Sequence, residues 1–127
     1  MKETDALEKL FIKMEENLKD IKVINLTTLD GFPIYTHYAE ETDIGDDRLS
    51  AAASSLSALS VAASKQLIGS DFESTTIESK DGCMLLVQTE YKNDNCVLCF
   101  VTGKTHMLGQ VRYFAIKLAK YIQKNFN

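Results

Sequence analysis

Apolar residues at Leu7, Leu10, Phe11, Met14 and Leu18 recur with the three-and-four spacing of one helix face, which predicts an amphipathic helix from Thr4 to about Lys19. Asp5, with Glu8 three residues on, can form a capping pair at its start. The period then changes. Ile21–Leu29 and Phe32–Tyr38 are rich in β-branched and aromatic residues and are joined by Asp30-Gly31. That pattern predicts a hairpin with a type I′ turn, in which both central residues take positive φ. Pro33, the single proline, has no N–H to give a ladder and places the second strand at a sheet edge.

After the polar loop AEETDIGDD, Asp46 or Asp47 can cap a helix that runs to about Ile68, with Gly69 just beyond its end. Asp71–Ser79, then Asp81-Gly82, then Cys83–Thr89 repeat the strand–turn–strand pattern, and the more polar first member reads as another edge. YKNDN makes a polar turn, and Cys96–Thr102 is a nearly continuous apolar run that suits a central strand buried on both faces. Met107, Leu108, Val111, Phe114, Ala115, Leu118, Ile122 and Phe126 mark a last helix. The order α-β-β-α-β-β-β-α predicts an α+β fold: a five-stranded antiparallel sheet with helices covering it, in one domain over residues 1–127.

The central helix contains the stretch AAASSLSALSVAAS, residues 51–64, with no charge and no aromatic group. Wound at 100° per residue, Leu49, Leu56, Leu59, Ala63 and Leu67 fall together and predict its core stripe. The opposite face carries Ala51, Ser54, Ala58, Val61 and Ala62, with Lys65 as its only charge. A helix surface facing water normally carries several charges. Two readings fit: a small-residue surface lying exposed or under a loop, or a face on which a second backbone rests closely. The absence of glycine and proline excludes a flexible linker, and six serines between Ser50 and Ser64 exclude a membrane helix. The edge strand that follows favours the second backbone, because an open edge is a template for pairing with another chain. Helix face and strand together predict one continuous surface for a two-fold homodimer.

Composition narrows the function. Apolar residues make up 45% and charged residues 25%, with a net charge of −4, so no general electrostatic attraction to nucleic acid or anionic lipid is expected. The start, MKETDALEKLF, has acids where a signal peptide needs a basic region, and no window reaches the ~18 apolar residues of a spanning helix. A soluble cytoplasmic protein is expected. Three cysteines, Cys83, Cys96 and Cys99, make an odd number, which argues for reduced thiols rather than a disulfide framework. Cys96 and Cys99 match C-x-x-C, but in an extended strand they point to opposite faces and cannot share a metal. His37 and His106 have no sequence neighbours that suggest a triad or metal pair, and the acids at Glu40, Glu41, Asp43, Asp46 and Asp47 read as a solvated loop. Gly103-Lys104-Thr105 resembles the tail of a phosphate-binding loop. The first glycine of that motif would fall at Leu98, mid-strand, so a turn with Thr105 as helix cap is expected instead. Arg112, Lys117, Lys120 and Lys124 give the last helix a basic polar side.

Taken together, the Leu29-Asp30-Gly31-Phe32-Pro33-Ile34 hairpin, the small-residue central helix ending at Leu67-Ile68-Gly69, the second hairpin and the Leu108-Gly109-Gln110-Val111-Arg112 helix start resemble the Roadblock family. That family includes the dynein light-chain type and bacterial regulators of Ras-like GTPases. The resemblance implies the central helix on one sheet face and the terminal helices on the other. It also implies dimers that pair central helices and join sheets through the third strand. The expected role is a non-enzymatic homodimeric module, with no cofactor, that binds and regulates a small Ras-like GTPase. A structural adaptor of a motor or cytoskeletal complex is the alternative. Candidate dimer residues are Ala51, Ser54, Ser55, Ala58, Val61, Ala62 and Lys65 on the helix, with Phe72, Ser74 and Thr76 on the edge strand. Arg48 and Lys65 are further candidates for the partner surface.

Overall fold

The apolar run that demanded burial on both faces lies in the middle of a sheet. The computed structural model describes residues 4–104 and 107–127. Its elements are α1 (Asp5–Asn17), β1 (Ile21–Thr28), β2 (Pro33–Tyr38), α2 (Asp46–Ala63), β3 (Thr75–Ser79), β4 (Gly82–Tyr91), β5 (Asp94–Gly103) and α3 (Leu108–Asn125). The strands form one antiparallel sheet in the order β2-β1-β5-β4-β3. Pro33 therefore sits on one edge and the polar strand β3 on the other, as the sequence predicts.

The period of two in β5 decides which side each residue serves. Cys96, Leu98 and Phe100 face α1 and α3, joining Leu7, Phe11, Leu26, Leu85, Leu118 and Ile122 in the larger core. Val97 and Cys99 face α2, with Val23, Leu49, Ala53 and Leu86. Each fully buried Leu or Phe contributes roughly 1.5–3 kcal/mol, so most of the fold's stability resides on the α1/α3 side. The two cysteines thus point to opposite faces, and all three thiols are free and buried. Burial alone pushes Cys99 from its ordinary 9.0 up to about 12. Burial also raises Cys96, with Asp94 and Glu90 adding to the shift against a backbone hydrogen bond from Tyr91. An unfolded chain releases the Cys99 proton near pH 9 while the folded one holds it, so this thiol costs stability as pH rises from about 9 toward about 12. Urea midpoints are expected to fall over that window, and Cys99→Ala to flatten the fall.

The turns correct the sequence reading. In the first hairpin only Gly31 has positive φ (93°), Asp30 does not, and Gly31 N–H donates to Thr28 O at 3.1 Å. The turn is four residues, Leu29–Phe32, with a register shift after Leu26, and not the two-residue type I′. The type I′ pattern occurs instead between β4 and β5, where Lys92 (φ 51°) and Asn93 (φ 67°) both take left-handed backbone between the paired Tyr91 and Asp94. Gly82 is needed for close approach: a Cβ there would stand 2.4 Å from the Thr102 carbonyl oxygen. Gly82→Ala is expected to cost about 1–3 kcal/mol in urea denaturation. Gly109→Ala, in open space within α3, should stabilise by up to about 1 kcal/mol.

Helix ends differ slightly from expectation. Thr4 is the N-cap of α1, with Asp5 already helical, and Gly45 is the N-cap of α2. Asp46 and Asp47 occupy the first turn of α2, where negative charge suits the helix dipole. Beyond Ala63 the helix continues as a π turn, Ser64–Ile68. Gly69 (φ 79°) ends it as predicted, its N–H and that of Ser70 both donating to Ser64 O.

Candidate dimer and partner surface

The central helix turns a different face to the sheet from the one its leucines suggest. The residues of α2 buried on the sheet are Leu49, Ser50, Ala53, Ser54 and Ser57. Leu59 is 69% exposed and Leu67 83%, so the expected leucine core stripe is wrong beyond Leu56, which is partly buried. The cause lies in the strands below. Asn25 and Thr27 of β1 are buried under α2, and polar strand residues are matched by small hydroxyls. Asn25 Nδ2 donates to Ser50 Oγ at 3.1 Å and to Thr36 Oγ1 at 2.9 Å, and Gln88 Nε2 donates to Ser57 Oγ at 3.3 Å. Asn25 Oδ1 is left with no partner among the described residues. Of the three serines, Ser50 meets Asn25 of β1 and Ser57 meets Gln88 of β4, while Ser54 Oγ donates to Ala51 O within the helix.

Ser54 is a second correction. It is only 8% exposed, and its Oγ lies 3.0 Å from where a Cβ on Gly31 would stand. The hairpin tip rests on α2 there, and Ser54 is spent inside the protomer. The remaining helix candidates divide by exposure. Arg48, Ala51, Ser55, Ala58 and Lys65 are exposed, and Val61 and Ala62 are half-buried. Sequence reasoning passed over Leu59 and Leu67 because it had assigned them to the protomer's own core, and Ile68, 77% exposed, was given no face at all. Leu29 and Phe32, also exposed, extend this apolar surface at the hairpin tip beside Ala51.

The strand candidates sit at the other end of the same region. Thr76 and Ile77 of β3 are exposed, while Phe72 and Ser74 just before it are half-buried. β3 pairs only with β4, leaving its outer edge open. Ser60 Oγ meets Thr75 Oγ1 and ties α2 to this edge. Arg112 of α3 holds the approach to it, with Nη2 on Glu73 Oε1 at 2.6 Å and Nε donating to Ser74 Oγ at 3.2 Å. Helix face and sheet edge are therefore fixed to one another.

The other candidate chemistries come apart. Gly103 ends β5 with its N–H on Asp20 O at 2.8 Å, and Leu98 is fully buried in mid-strand, so no glycine-rich phosphate cradle precedes Lys104. Thr105 and His106 lie outside the described residues. His37 Nε2 meets Glu15 Oε1 at 2.6 Å, a contact between β2 and α1. Among the described residues no three His, Cys, Asp or Glu side chains group as metal ligands, and no helix is long and apolar enough to cross a membrane.

Residues 6–99 match the family model of the Roadblock/LC7 domain. The chain belongs to the Roadblock/LC7 family. The match ends within β5, so α3 lies beyond it. Among solved structures, an MglB described with a tetrameric arrangement superposes with TM-score 0.72 at 18% identity, covering 94% of this chain and 91% of that one. The gliding protein MglB from Thermus thermophilus gives TM-score 0.72 at 17% identity, over 94% and 92% of the two chains. Myxococcus xanthus MglB gives 0.71 at 16%, over 97% and 99%. At such identities the likeness is one of fold. No curated protein sequence matches the chain. In this chain α2 covers one face of the sheet and α1 with α3 the other, as the resemblance implies.

Proposed function

We propose that this Roadblock/LC7 protein is a non-enzymatic homodimeric module that binds and regulates a small Ras-like GTPase. The observation that carries the reading is the outer face of α2, where Ala51, Ser55, Ala58 and Leu59 stand exposed without a charge. It adjoins the open edge of β3. Small side chains let two helices approach closely, and an open edge accepts a second strand. A two-fold axis near Ala58 pairs the helices in antiparallel fashion and brings each Arg48 toward the Lys65 end of the other helix. These residues are about 26 Å apart along one helix. The dimer then presents basic groups around an apolar centre, flanked by Leu29 and Phe32, as a surface for an acidic partner face. Support for the GTPase comes from the resemblance to bacterial regulators of Ras-like GTPases and from the fold shared with MglB.

The test is a pull-down from the source organism followed by GTP-hydrolysis assays with the recovered partner. A small Ras-like GTPase should be recovered, and the protein should change its hydrolysis rate. Arg48→Glu with Lys65→Glu should reduce that effect at least about tenfold. Recovery of no small GTPase, or hydrolysis identical with and without the protein, would sink the reading. Micromolar binding of GTP or ATP by the protein alone would argue instead for a nucleotide binder.

A further inference from the structure

On the face away from α2, sheet geometry leaves a furrow. The larger helix–sheet contacts set α1 over β2 and α3 over β4 and β5. β2 and β4 are three strand spacings apart, about 14 Å, whereas close-packed helices lie about 8–10 Å apart. The excess opens a cavity of about 510 Å³ between the helices. Its floor and walls are Leu10 and Met14, four apart on α1, Phe114 and Leu118, four apart on α3, and Phe126 just past the end of α3.

The charges that line it are of one sign. In a chain of net charge −4, the only charged residues lining the furrow, among the described residues, are Lys9, Lys13 and Lys117. Two acids of α1 are turned elsewhere: Glu15 contacts His37, and Glu8 acts on Tyr35, both on β2. Lysines therefore rim an apolar trough, with half-exposed Tyr121 at its side.

We propose that this furrow docks an acidic amphipathic helix of a partner protein. Charge complementarity and periodicity together select that occupant: apolar residues at i, i+3, i+4 and i+7 of the incoming helix would enter the trough while flanking Asp and Glu meet the lysines. α1, at 13 residues, is about 20 Å long and accommodates three to four turns. The site lies on the opposite sheet face from α2 and stands independently of the GTPase reading.

The test is selection from a displayed library of 20-residue helical peptides against the intact protein. The expected winners are net-negative sequences with that apolar spacing. A fluorescently labelled winner should bind Lys13→Glu/Lys117→Glu at least about tenfold more weakly, with circular dichroism and dimer mass unchanged, and should weaken as salt rises. Leu10→Asp gives a second, charge-independent disruption. Enrichment of basic or patternless peptides, no enrichment, or equal binding to wild type and both variants would overturn the proposal. Displacement of the peptide by vesicles of phosphatidylglycerol and phosphatidylcholine would assign the furrow to lipid and overturn it equally.

Discussion

Ala58→Glu is expected to convert the proposed dimer into protomers of 14.2 kDa in sedimentation velocity at micromolar concentration. Position 58 lies midway between Ala51 and Lys65 on the outer face of α2, where a two-fold axis would cross. Two carboxylates then meet near the axis, each losing water without gaining a partner. Burying unpaired charge costs several kcal/mol, and 1.4 kcal/mol is a factor of ten in affinity, so a weakening of at least about 1000-fold follows. The protomer itself should be untouched. Ala58 is exposed and glutamate is a good helix former, so stability in the dissociated state should change by no more than about 0.5 kcal/mol.

Phe100→Ala and Leu59→Ala make the second large contrast. Phe100 is fully buried in the central strand among the α1/α3 core, and its truncation leaves a cavity that α1 and α3 cannot collapse. A loss of about 3–5 kcal/mol in urea denaturation is expected. Leu59, 69% exposed, should cost the protomer under about 0.5 kcal/mol yet weaken self-association at least about tenfold. Equal losses of folding stability at the two positions would restore Leu59 to the core and remove it from the interface.

That contrast also marks what the sequence revealed. Strands were legible because a period of two fixes the face of every residue once one is placed. Pro33 marked one edge, the polar β3 the other, and the alternation in β5 sent Cys96 and Cys99 to opposite sides. The orientation of α2 was not legible, since its contact with the sheet is made by hydroxyls. Ser50 and Ser57 answer Asn25 and Gln88, so hydropathy placed Leu49 and Leu56 on the sheet correctly but turned the helix too far toward Leu59 and Leu67. Its outward Leu59, Leu67 and Ile68 have no core to enter within one chain. Ser54 was misplaced for a local reason: Gly31 brings the hairpin tip down upon it. The furrow over β1 and β5 left no sequence signature, because it arises from which strands carry the two terminal helices.

The central claim is that α2 and β3 together close a two-fold dimer, and hydrogen–deuterium exchange of Thr75–Ser79 tests it most directly. In a lone protomer β3 is bonded to β4 on one side only, and its outward amides are open to water. A dimer closed through this edge should show slow exchange throughout β3 in the wild-type protein and fast exchange of the outward amides in Ala58→Glu. Fast exchange of those amides in the wild type at concentrations where it sediments as a dimer would contradict it.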